Sequence, residues 1–288
     1  MHIRIRTVLL CFVYILQLLL PVYAFAADSS NSWTNILLLG CDSADGSFVG
    51  HTDSIVIVCL NSNADEYKLI SICRDILVPA SIYSSPIKLS YICLYNTPDR
   101  LLEIIEECFD IELHGYILVP LEQMATIVDI VGGVDIDISE QERQAINKGL
   151  FDLSPYSDMS NVKSSGSNTR LNGNQAVAYA RIRIIDSDNH RMIRLRKLFT
   201  ALLKKAQSMS PSDILQCIDL ITDSVQTNIH INELLEYCKG FLFDPLQENI
   251  QLIIPIPDTY SDEMIGGISY VSPDYKQNAI AIHNFIYN

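Results

Sequence analysis

The apolar run Asn35-Ile36-Leu37-Leu38-Leu39-Gly40 opens the folded part of this chain. A short, continuous apolar segment that ends in glycine is typical of a strand buried on both faces of a sheet. Two further apolar segments follow at residues 54–60 and 67–72, joined by a polar link at residues 61–65. The pattern therefore predicts three successive strands at the start of a central sheet.

Helices and strands are both predicted after this segment. Pro98–Phe109 has helical periodicity, and Val134–Ile138 alternates as a half-buried strand does. The polar, serine-rich residues 151–168 predict a surface loop. Further helices are predicted over residues 121–131, 175–179, 191–207, 211–222, 231–241 and 273–286, with a strand over Ile250–Ile254. We predict one α/β domain whose mixed central sheet is flanked by helices on both faces.

The first 26 residues carry the features of an export signal. Arg4 and Arg6 precede an apolar run at residues 7–20, and Ala24-Phe25-Ala26 offers a cleavage site. Residues 7–26 are also long enough to span a membrane. A signal anchor in the cell membrane and secretion after cleavage at Ala26 both stay open, and the basic flank places the rest of the chain outside the cytoplasm.

Charge and length limit the partners and the domain count. The chain has 288 residues, a formal net charge of −14 and 49% hydrophobic residues. Proteins that bind nucleic acid usually present a basic face and a high pI, so nucleic acid is not an expected partner. With no internal linker, residues 33–288 are predicted to form one extracytoplasmic domain, in which residues 206–288 pack on core motifs at 35–205.

Eight cysteines are unusual in a chain with an export signal. Cys41, Cys59 and Cys73 fall in apolar, strand-like runs, where cysteine serves as a small buried hydrophobe. The spacing of the cysteines and histidines matches no common zinc site. Isolated disulfides stay an alternative.

An arginine-rich segment is positively charged, in contrast to the negative net charge of the whole chain. Nine of the chain's 20 lysines and arginines lie between Arg170 and Lys205. Guanidinium groups bind phosphate oxygens in a bidentate manner, so this segment predicts a phosphate or pyrophosphate site. Arg191 and Arg194 lie three apart in the first turn of a predicted helix, where both could face one ligand. The alternative is a set of surface arginines paired with nearby acids, Asp186 and Asp188.

Two carboxylates flank a loop between the first two predicted strands. Asp42 follows the first strand and Asp53 precedes the second, so both can converge at one edge of the sheet. Two carboxylate ligands beside a phosphate site are what Mg²⁺ usually takes from a protein. Arg74-Asp75 ends the third strand and would lie beside them. Each aspartate alone is equally typical of a turn or a helix cap.

Taken in order, these motifs resemble the LytR-CpsA-Psr family of bacterial cell-envelope enzymes. The resemblance spans essentially the whole exported part of the chain. It is carried by Asn35-Ile-Leu-Leu-Leu-Gly-Cys-Asp42, Thr52-Asp53-Ser54-Ile55, Ser71-Ile-Cys-Arg74-Asp75, Lys88-Leu89-Ser90-Tyr91, Val131-Gly-Gly-Val134-Asp135, Leu171-Asn-Gly-Asn-Gln175-Ala-Val-Ala-Tyr-Ala-Arg181-Ile-Arg183 and Asp188-Asn-His-Arg191-Met-Ile-Arg194.

The resemblance implies a phosphotransferase that moves a glycan phosphate from a polyprenyl-pyrophosphate carrier onto a peptidoglycan hydroxyl. It implies that Asp42 and Asp53 bind Mg²⁺ or Mn²⁺, and that the membrane is a partner. The implied catalytic residues are Asp53, Arg74 and Arg181. The implied substrate-binding residues are His51, Arg74, Lys88, Arg181, Arg183, Arg191 and Arg194.

Several positions depart from the family pattern. His51 stands where members usually carry arginine, and Leu195 stands where they carry glutamine. Ser43-Ala44, Cys73, Ser90 and His190 also differ from the usual residues. Histidine can donate to phosphate when protonated but cannot make a two-pronged contact. The alternative function is therefore a catalytically weak relative that binds polyprenyl phosphates or pyrophosphates and has a regulatory or structural role in the envelope.

Overall fold

The computed structural model describes residues 33–43, 47–61, 63, 66–150, 160–182, 185, 188–230, 232–234, 236–237 and 250–288. Within it, Trp33–Asn288 group into one compact unit. The predicted export segment lies outside the described residues. No helix among the described residues is both long and apolar enough to cross a bilayer.

The described strands form three sheets. They are β1 (Trp33–Asp42), β2 (His51–Asn61), β3 (Glu66–Ile72), β4 (Tyr116–Pro120), β5 (Val134–Ile138), β6 (Gly166–Leu171), β7 (Gln226–Thr227), β8 (Ile250–Ile254), β9 (Tyr260–Ile265) and β10 (Ile268–Pro273). Six of them form the central sheet, in the order β7-β4-β1-β2-β3-β8. β2 is antiparallel to both β1 and β3, whereas β1 with β4 and β3 with β8 are parallel. The predicted mixed sheet is confirmed.

Helices cover both faces of the central sheet. They are α1 (Ile92–Tyr95), α2 (Pro98–Phe109), α3 (Leu121–Ile130), α4 (Glu140–Gly149), α5 (Gly173–Ala180), α6 (Asp188–Gln207), α7 (Pro211–Ile221) and α8 (Tyr275–Tyr287). Leu37 of β1 packs in one core with Leu101 of α2 and Ile282 of α8. Its neighbour Ile36 joins a different core, against which Phe199 of α6 packs. Because alternate residues of a strand point to opposite faces, the helices lie on both sides, as predicted.

A third core lies under the small sheet of β5 and β6. Val134, Ile136 and Ile138 are buried, while Asp135 and Asp137 are exposed, which confirms the predicted half-buried strand. The buried side chains share one core with residues of three helices, namely Ile146 of α4, Ala176 and Tyr179 of α5, and Leu198 of α6. α6 is therefore held between the central sheet and the β5–β6 sheet.

Several elements differ from the sequence prediction. The end of the predicted surface loop, residues 166–168, is instead the start of β6, because this strand pairs with β5 along the antiparallel register. The patterns do not predict β4, α4 or the β9–β10 hairpin, whose turn residues Gly266 and Gly267 both have positive φ. The last helix begins at Tyr275 rather than 273, because Asp274 caps it. The predicted helix at 231–241 falls partly outside the described residues.

The cysteines that the structure describes, Cys41, Cys59, Cys73, Cys93, Cys108 and Cys217, are free thiols. Cys41 and Cys59 are fully buried, as the apolar runs predict, whereas Cys73 is only half-buried after the end of β3. Burial raises the pKa of the Cys41 thiol to about 12, so this cysteine is a neutral core residue.

Candidate active site

One edge of the central sheet brings the predicted carboxylates to the predicted arginines. The antiparallel register of β1 and β2 pairs Asp42 with His51. The register of β2 and β3, continued past the end of β3, sets Asp53 opposite Arg74. Gly50 keeps the intervening chain close to β1, because a Cβ there would lie only 2.6 Å from the carbonyl oxygen of Asp42.

Asp53 lies at the centre of this edge and is nearly buried, with 8% of its surface exposed. Arg74, just after β3, places Nη1 2.6 Å from Oδ1 of Asp53. Arg191, in the first turn of α6, places Nη1 2.9 Å from Oδ2 and donates through Nη2 to the Asp53 carbonyl oxygen at 2.7 Å. Asp53 therefore joins three parts of the fold, namely β2, the end of β3 and α6.

The two guanidinium groups keep Asp53 ionised. Burial by itself would raise the pKa of the Asp53 carboxyl, but the charges and hydrogen bonds of Arg191 and Arg74 outweigh burial and lower this pKa below its usual value. Two arginines around one carboxylate leave an excess of positive charge. Each guanidinium also has more N–H groups than it donates to Asp53, so the cluster can bind an anion.

Asp42 and Arg181 form a second, more exposed part of the site. Nη2 of Arg181 lies 3.3 Å from Oδ1 of Asp42, and their side chains are 44% and 37% exposed. Arg181 is the C-cap of α5, which Asn172 and Gln175 begin with a capping box. Gly173 packs α5 tightly on α3, because a Cβ there would lie 2.0 Å from a backbone oxygen of α3. The position of Arg181 is thus set by the packing of α5.

Lys88 is tied to the cluster through an acid that the sequence patterns did not single out as a site residue. Nζ of Lys88 lies 2.7 Å from Oδ1 of Asp75, whose Oδ2 lies 3.6 Å from Nε of Arg74. The same Nζ lies 5.7 Å from the ring centre of Tyr270 on β10. Asp75 therefore orients both cations. Its place directly after Arg74 at the end of a strand was the available signal.

Arg194 does not join Arg191 at Asp53. It is buried, its Nε lies 3.1 Å from Oε1 of Glu142 on α4, and its Nη1 donates to the carbonyl oxygen of Ile182 at 3.2 Å. Glu142 is itself held by the capping box that it forms with Ser139. The expectation that Arg191 and Arg194 both face one ligand is therefore corrected. Arg194 instead anchors the chain directly after Arg181. Arg183 lies outside the described residues.

The LytR_cpsA_psr family model matches residues 20–283 of the chain. The chain belongs to the LytR_cpsA_psr family. It is 29% identical over 209 residues to an Oceanobacillus iheyensis protein named polyisoprenyl-teichoic acid–peptidoglycan teichoic acid transferase TagU, a match that covers 69% of this chain and 60% of that protein. A Bacillus mycoides protein of the same name is 28% identical over 233 residues, which cover 80% of this chain and 71% of that protein.

Solved structures share the fold of this LytR_cpsA_psr protein. The structure of TagT bound to LIIa-WTA has a TM-score of 0.71 at 22% identity and covers 89% of this chain and 91% of that one. The crystal structure of Bacillus subtilis TagV has a TM-score of 0.69 at 24% identity and covers 88% of this chain and 97% of that one. The single α/β domain with a six-stranded mixed sheet is thus the fold of these proteins.

An apolar cavity of about 50 Å³ lies between the central sheet and α6 in this LytR_cpsA_psr member. Gly40, Ser54, Val177 and Leu195 are among its lining residues. Ser54 directly follows Asp53 in β2, so the cavity and the charged cluster share this strand, although Asp53, Arg74 and Arg191 do not line the cavity. Leu195, where the family resemblance leads us to expect glutamine, is part of this apolar lining. The cavity is far smaller than a usual ligand pocket, so a lipid chain would have to separate α6 from the sheet.

His51, where the family resemblance leads us to expect arginine, packs against Tyr91 with 4.5 Å between ring centres and the rings tilted by 53°. Its Nδ1 is buried and makes no hydrogen bond within the part of the chain that the structure describes. A buried polar atom without a partner is costly, so this nitrogen is suited to a ligand contact. A single ring nitrogen gives one contact where arginine would give two.

The donor set at this edge fits a hard divalent cation. Within the described ranges there is no group of three or more His, Cys, Asp or Glu side chains that could hold a metal. Mg²⁺, however, commonly takes only one or two carboxylates and completes its shell with water and phosphate. A carboxylate has about four lone-pair sites, so Asp53 can accept its arginines and still ligate a metal. Asp42 is exposed enough to do the same. Mn²⁺ prefers the same oxygen ligands.

Proposed function

We propose that this protein transfers a glycan phosphate from a polyprenyl-pyrophosphate carrier to a hydroxyl group of peptidoglycan. One observation carries the proposal: the buried Asp53 holds Arg74 and Arg191 in one positively charged cluster, and its neighbour Ser54 lines an apolar cavity. A charged cluster beside an apolar cavity suits a ligand with a pyrophosphate head and a hydrocarbon tail. The names of the TagU relatives support the same type of transfer.

The reaction needs charge neutralisation more than a nucleophilic side chain. The acceptor hydroxyl oxygen forms a bond to the phosphorus that carries the glycan. The bond from that phosphorus to the bridging oxygen breaks, polyprenyl monophosphate leaves, and the hydroxyl proton ends on the released phosphate. Negative charge on the phosphate oxygens is stabilised by Arg74 and Arg191, with Arg181, Arg183 and Lys88 as further cations. Asp53, held ionised by its arginines, positions them rather than accepting the proton.

Asp42 and Asp53 would hold the Mg²⁺ or Mn²⁺ ion in this proposal. When bound, the ion supplies additional positive charge to the phosphate oxygens. The protein's own part is to orient two carboxylates, one buried and one exposed, on neighbouring strands. We place this reaction outside the cytoplasm at the membrane surface, because residues 1–26 have an export-signal pattern and the carrier is a lipid.

A second function is favoured by His51 and Leu195. The family resemblance leads us to expect arginine and glutamine at these positions, whereas His51 packs against Tyr91 and the apolar side chain of Leu195 lines the cavity. A protein with these residues could bind the lipid carrier and transfer its glycan slowly. The two functions differ in turnover rather than in ligand.

The test is release of polyprenyl monophosphate by the full chain in detergent, with a lipid-linked glycan as donor and peptidoglycan as acceptor. We expect release that requires the acceptor and is lost in Arg74→Ala. Arg100→Ala is the matched control, because Arg100 pairs with Glu103 on the surface of α2. Tight binding of the donor without turnover would identify the weak relative. Absence of both binding and turnover would rule out the proposed function.

A further inference from the structure

A second groove lies apart from the Asp53 cluster. It has a volume of about 660 Å³ and runs between the outer side of α6 and the small sheet of β5 and β6. None of its lining residues belongs to the candidate active site. One wall is formed by α6, and the other wall includes Asp135, Asp137 and Asn168. The volume is within the range of ligand sites.

The α6 wall of the groove is positively charged. Arg196, Lys197, Lys204 and Lys205 all line it. The side chains of the three lysines form no ion pair or hydrogen bond with the rest of the described chain. Across the groove lie two carboxylates, Asp135, which is already paired with Arg170 at 2.8 Å, and Asp137, which accepts a hydrogen bond from the backbone N–H of Asn168, so the four cations outnumber them. In a protein with a formal net charge of −14, this is a local excess of positive charge.

The base of the groove combines hydrogen-bonding and apolar groups. Arg196 is buried and donates to Oε1 of Gln251 at 2.7 Å. Thr200 is 8% exposed, and its Oγ1 is buried without a hydrogen-bond partner among the described residues. Ile193 is 37% exposed and Ala201 lies one residue beyond Thr200. Apolar side chains beside hydroxyl and amide groups suit a sugar ring, which has both C–H faces and hydroxyl groups.

The placement of the groove suggests an extended ligand. Arg191 at the start of α6 binds Asp53, and the groove follows along the same helix. At a rise of about 1.5 Å per residue, Lys197 lies roughly 9 Å and Lys205 roughly 21 Å further along the helix axis than Arg191. The lysines therefore form two separate points of positive charge. A chain with repeated anionic groups matches this arrangement better than a single compact anion does.

We propose that this groove binds a segment of an anionic, phosphate-bearing glycopolymer, with its phosphates at Lys197, Lys204 and Lys205 and its sugars over Ile193 and Ala201. This inference rests on the proposed function, because it assigns to the groove the part of the donor that follows the transferred phosphate. The groove then selects donors that carry a polymer over donors that carry a single sugar unit.

The test measures binding of a fluorescent, lipid-free poly(glycerol phosphate) chain to the full-length protein in detergent, at low and high salt. The triple variant K197Q/K204Q/K205Q should bind about tenfold more weakly at low salt, since each exposed charge contact contributes modestly. It should also lose most of the salt dependence. The control K163Q/K276Q removes two exposed lysines elsewhere and should bind within twofold of the wild type.

The outcomes distinguish a failure of the groove assignment from a failure of the proposed function. If the wild type transfers glycan but the triple variant binds the polymer as tightly as the wild type does, the groove assignment is wrong and the function stands. If polymer binding depends on the lysines but no transfer occurs, the groove stands and the function is wrong. Failure of the wild type to bind the polymer would overturn the assignment of the groove as a polymer site. The assignment would also be overturned if a peptidoglycan fragment bound more tightly than the polymer and that binding depended on the lysines.

Discussion

The inner and outer parts of the candidate site use the same residue types in different surroundings. At the inner part, Asp53 is nearly buried and bonded to Arg74 and Arg191 at 2.6 and 2.9 Å. At the outer part, Asp42 and Arg181 are more than a third exposed and 3.3 Å apart. Burial makes the inner charges strongly interdependent, whereas water screens the outer pair. The inner part should therefore serve stability and function together, and the outer part function alone.

The largest expected effect is the difference between substituting Asp53 and substituting Asp42. Asp53→Asn should abolish metal-dependent transfer and also destabilise the fold, because Arg74 and Arg191 would lose their shared anion. Asp42→Asn should lower metal-dependent transfer with little change in stability. Transfer assayed across a Mg²⁺ titration, together with urea unfolding, measures both effects. Unaltered Mg²⁺ dependence in both variants would contradict the metal assignment.

The second prediction compares two arginines by stability alone. Arg191→Ala should lower the free energy of unfolding by about 3 kcal/mol, the lower end for a broken buried pair because Arg74 remains. Arg181→Ala should lower it by roughly 0.5 kcal/mol, as for an exposed pair. Urea unfolding followed by circular dichroism measures both. Equal losses would mean that the inner and outer parts do not differ in this way.

The third prediction concerns ligand affinity, for which the two parts should be alike. Arg74→Ala and Arg181→Ala should each weaken binding of a polyprenyl pyrophosphate about tenfold, because each loses a charge-assisted contact to phosphate worth about 1.5–3 kcal/mol. Titration calorimetry in detergent measures this, with Arg100→Ala as control. Wild-type affinity in both variants would mean that the pyrophosphate binds elsewhere.

The fourth prediction tests Arg194 as a positioning residue. Glu142→Gln removes the charge that holds Arg194 and should raise KM for the lipid donor more than it lowers kcat, because Ile182 and the adjoining Arg181 would be less well placed. Arg194→Lys should restore less than half of the affinity lost in Arg194→Ala, since lysine cannot reach Glu142 and Ile182 together. An unchanged KM in Glu142→Gln would leave Arg194 with only a structural role.

The smallest effect is expected at His51, between the two parts. His51→Arg should strengthen pyrophosphate binding a few-fold, because arginine is permanently charged and offers a two-pronged contact. His51→Gln, which keeps a hydrogen-bond donor without a charge, is the matched control. If His51→Arg binds no more tightly than the wild type, His51 is an ordinary residue at the start of β2.

Sequence patterns predicted the central elements closely, for reasons that are local. Pro98–Phe109 and Val134–Ile138 have the predicted bounds, because a helix with a proline at its start and a strictly alternating strand leave clear periodic patterns. Residues 166–168, the start of β6, were predicted as loop, because their strand character comes only from pairing with β5. Local composition carries no information about such a pairing partner.

The sequence by itself determined the mixed α/β architecture, the concentration of arginines near one helix start and the position of carboxylates at strand ends. The tertiary structure decided which arginine meets which carboxylate. Arg191 and Arg194 lie in one turn of α6, yet one meets Asp53 on β2 and the other Glu142 on α4. Residues three apart on a helix point about 60° apart, so the partner of each arginine depends on which element packs against that side of the helix. That packing is set by contacts between residues far apart in the chain.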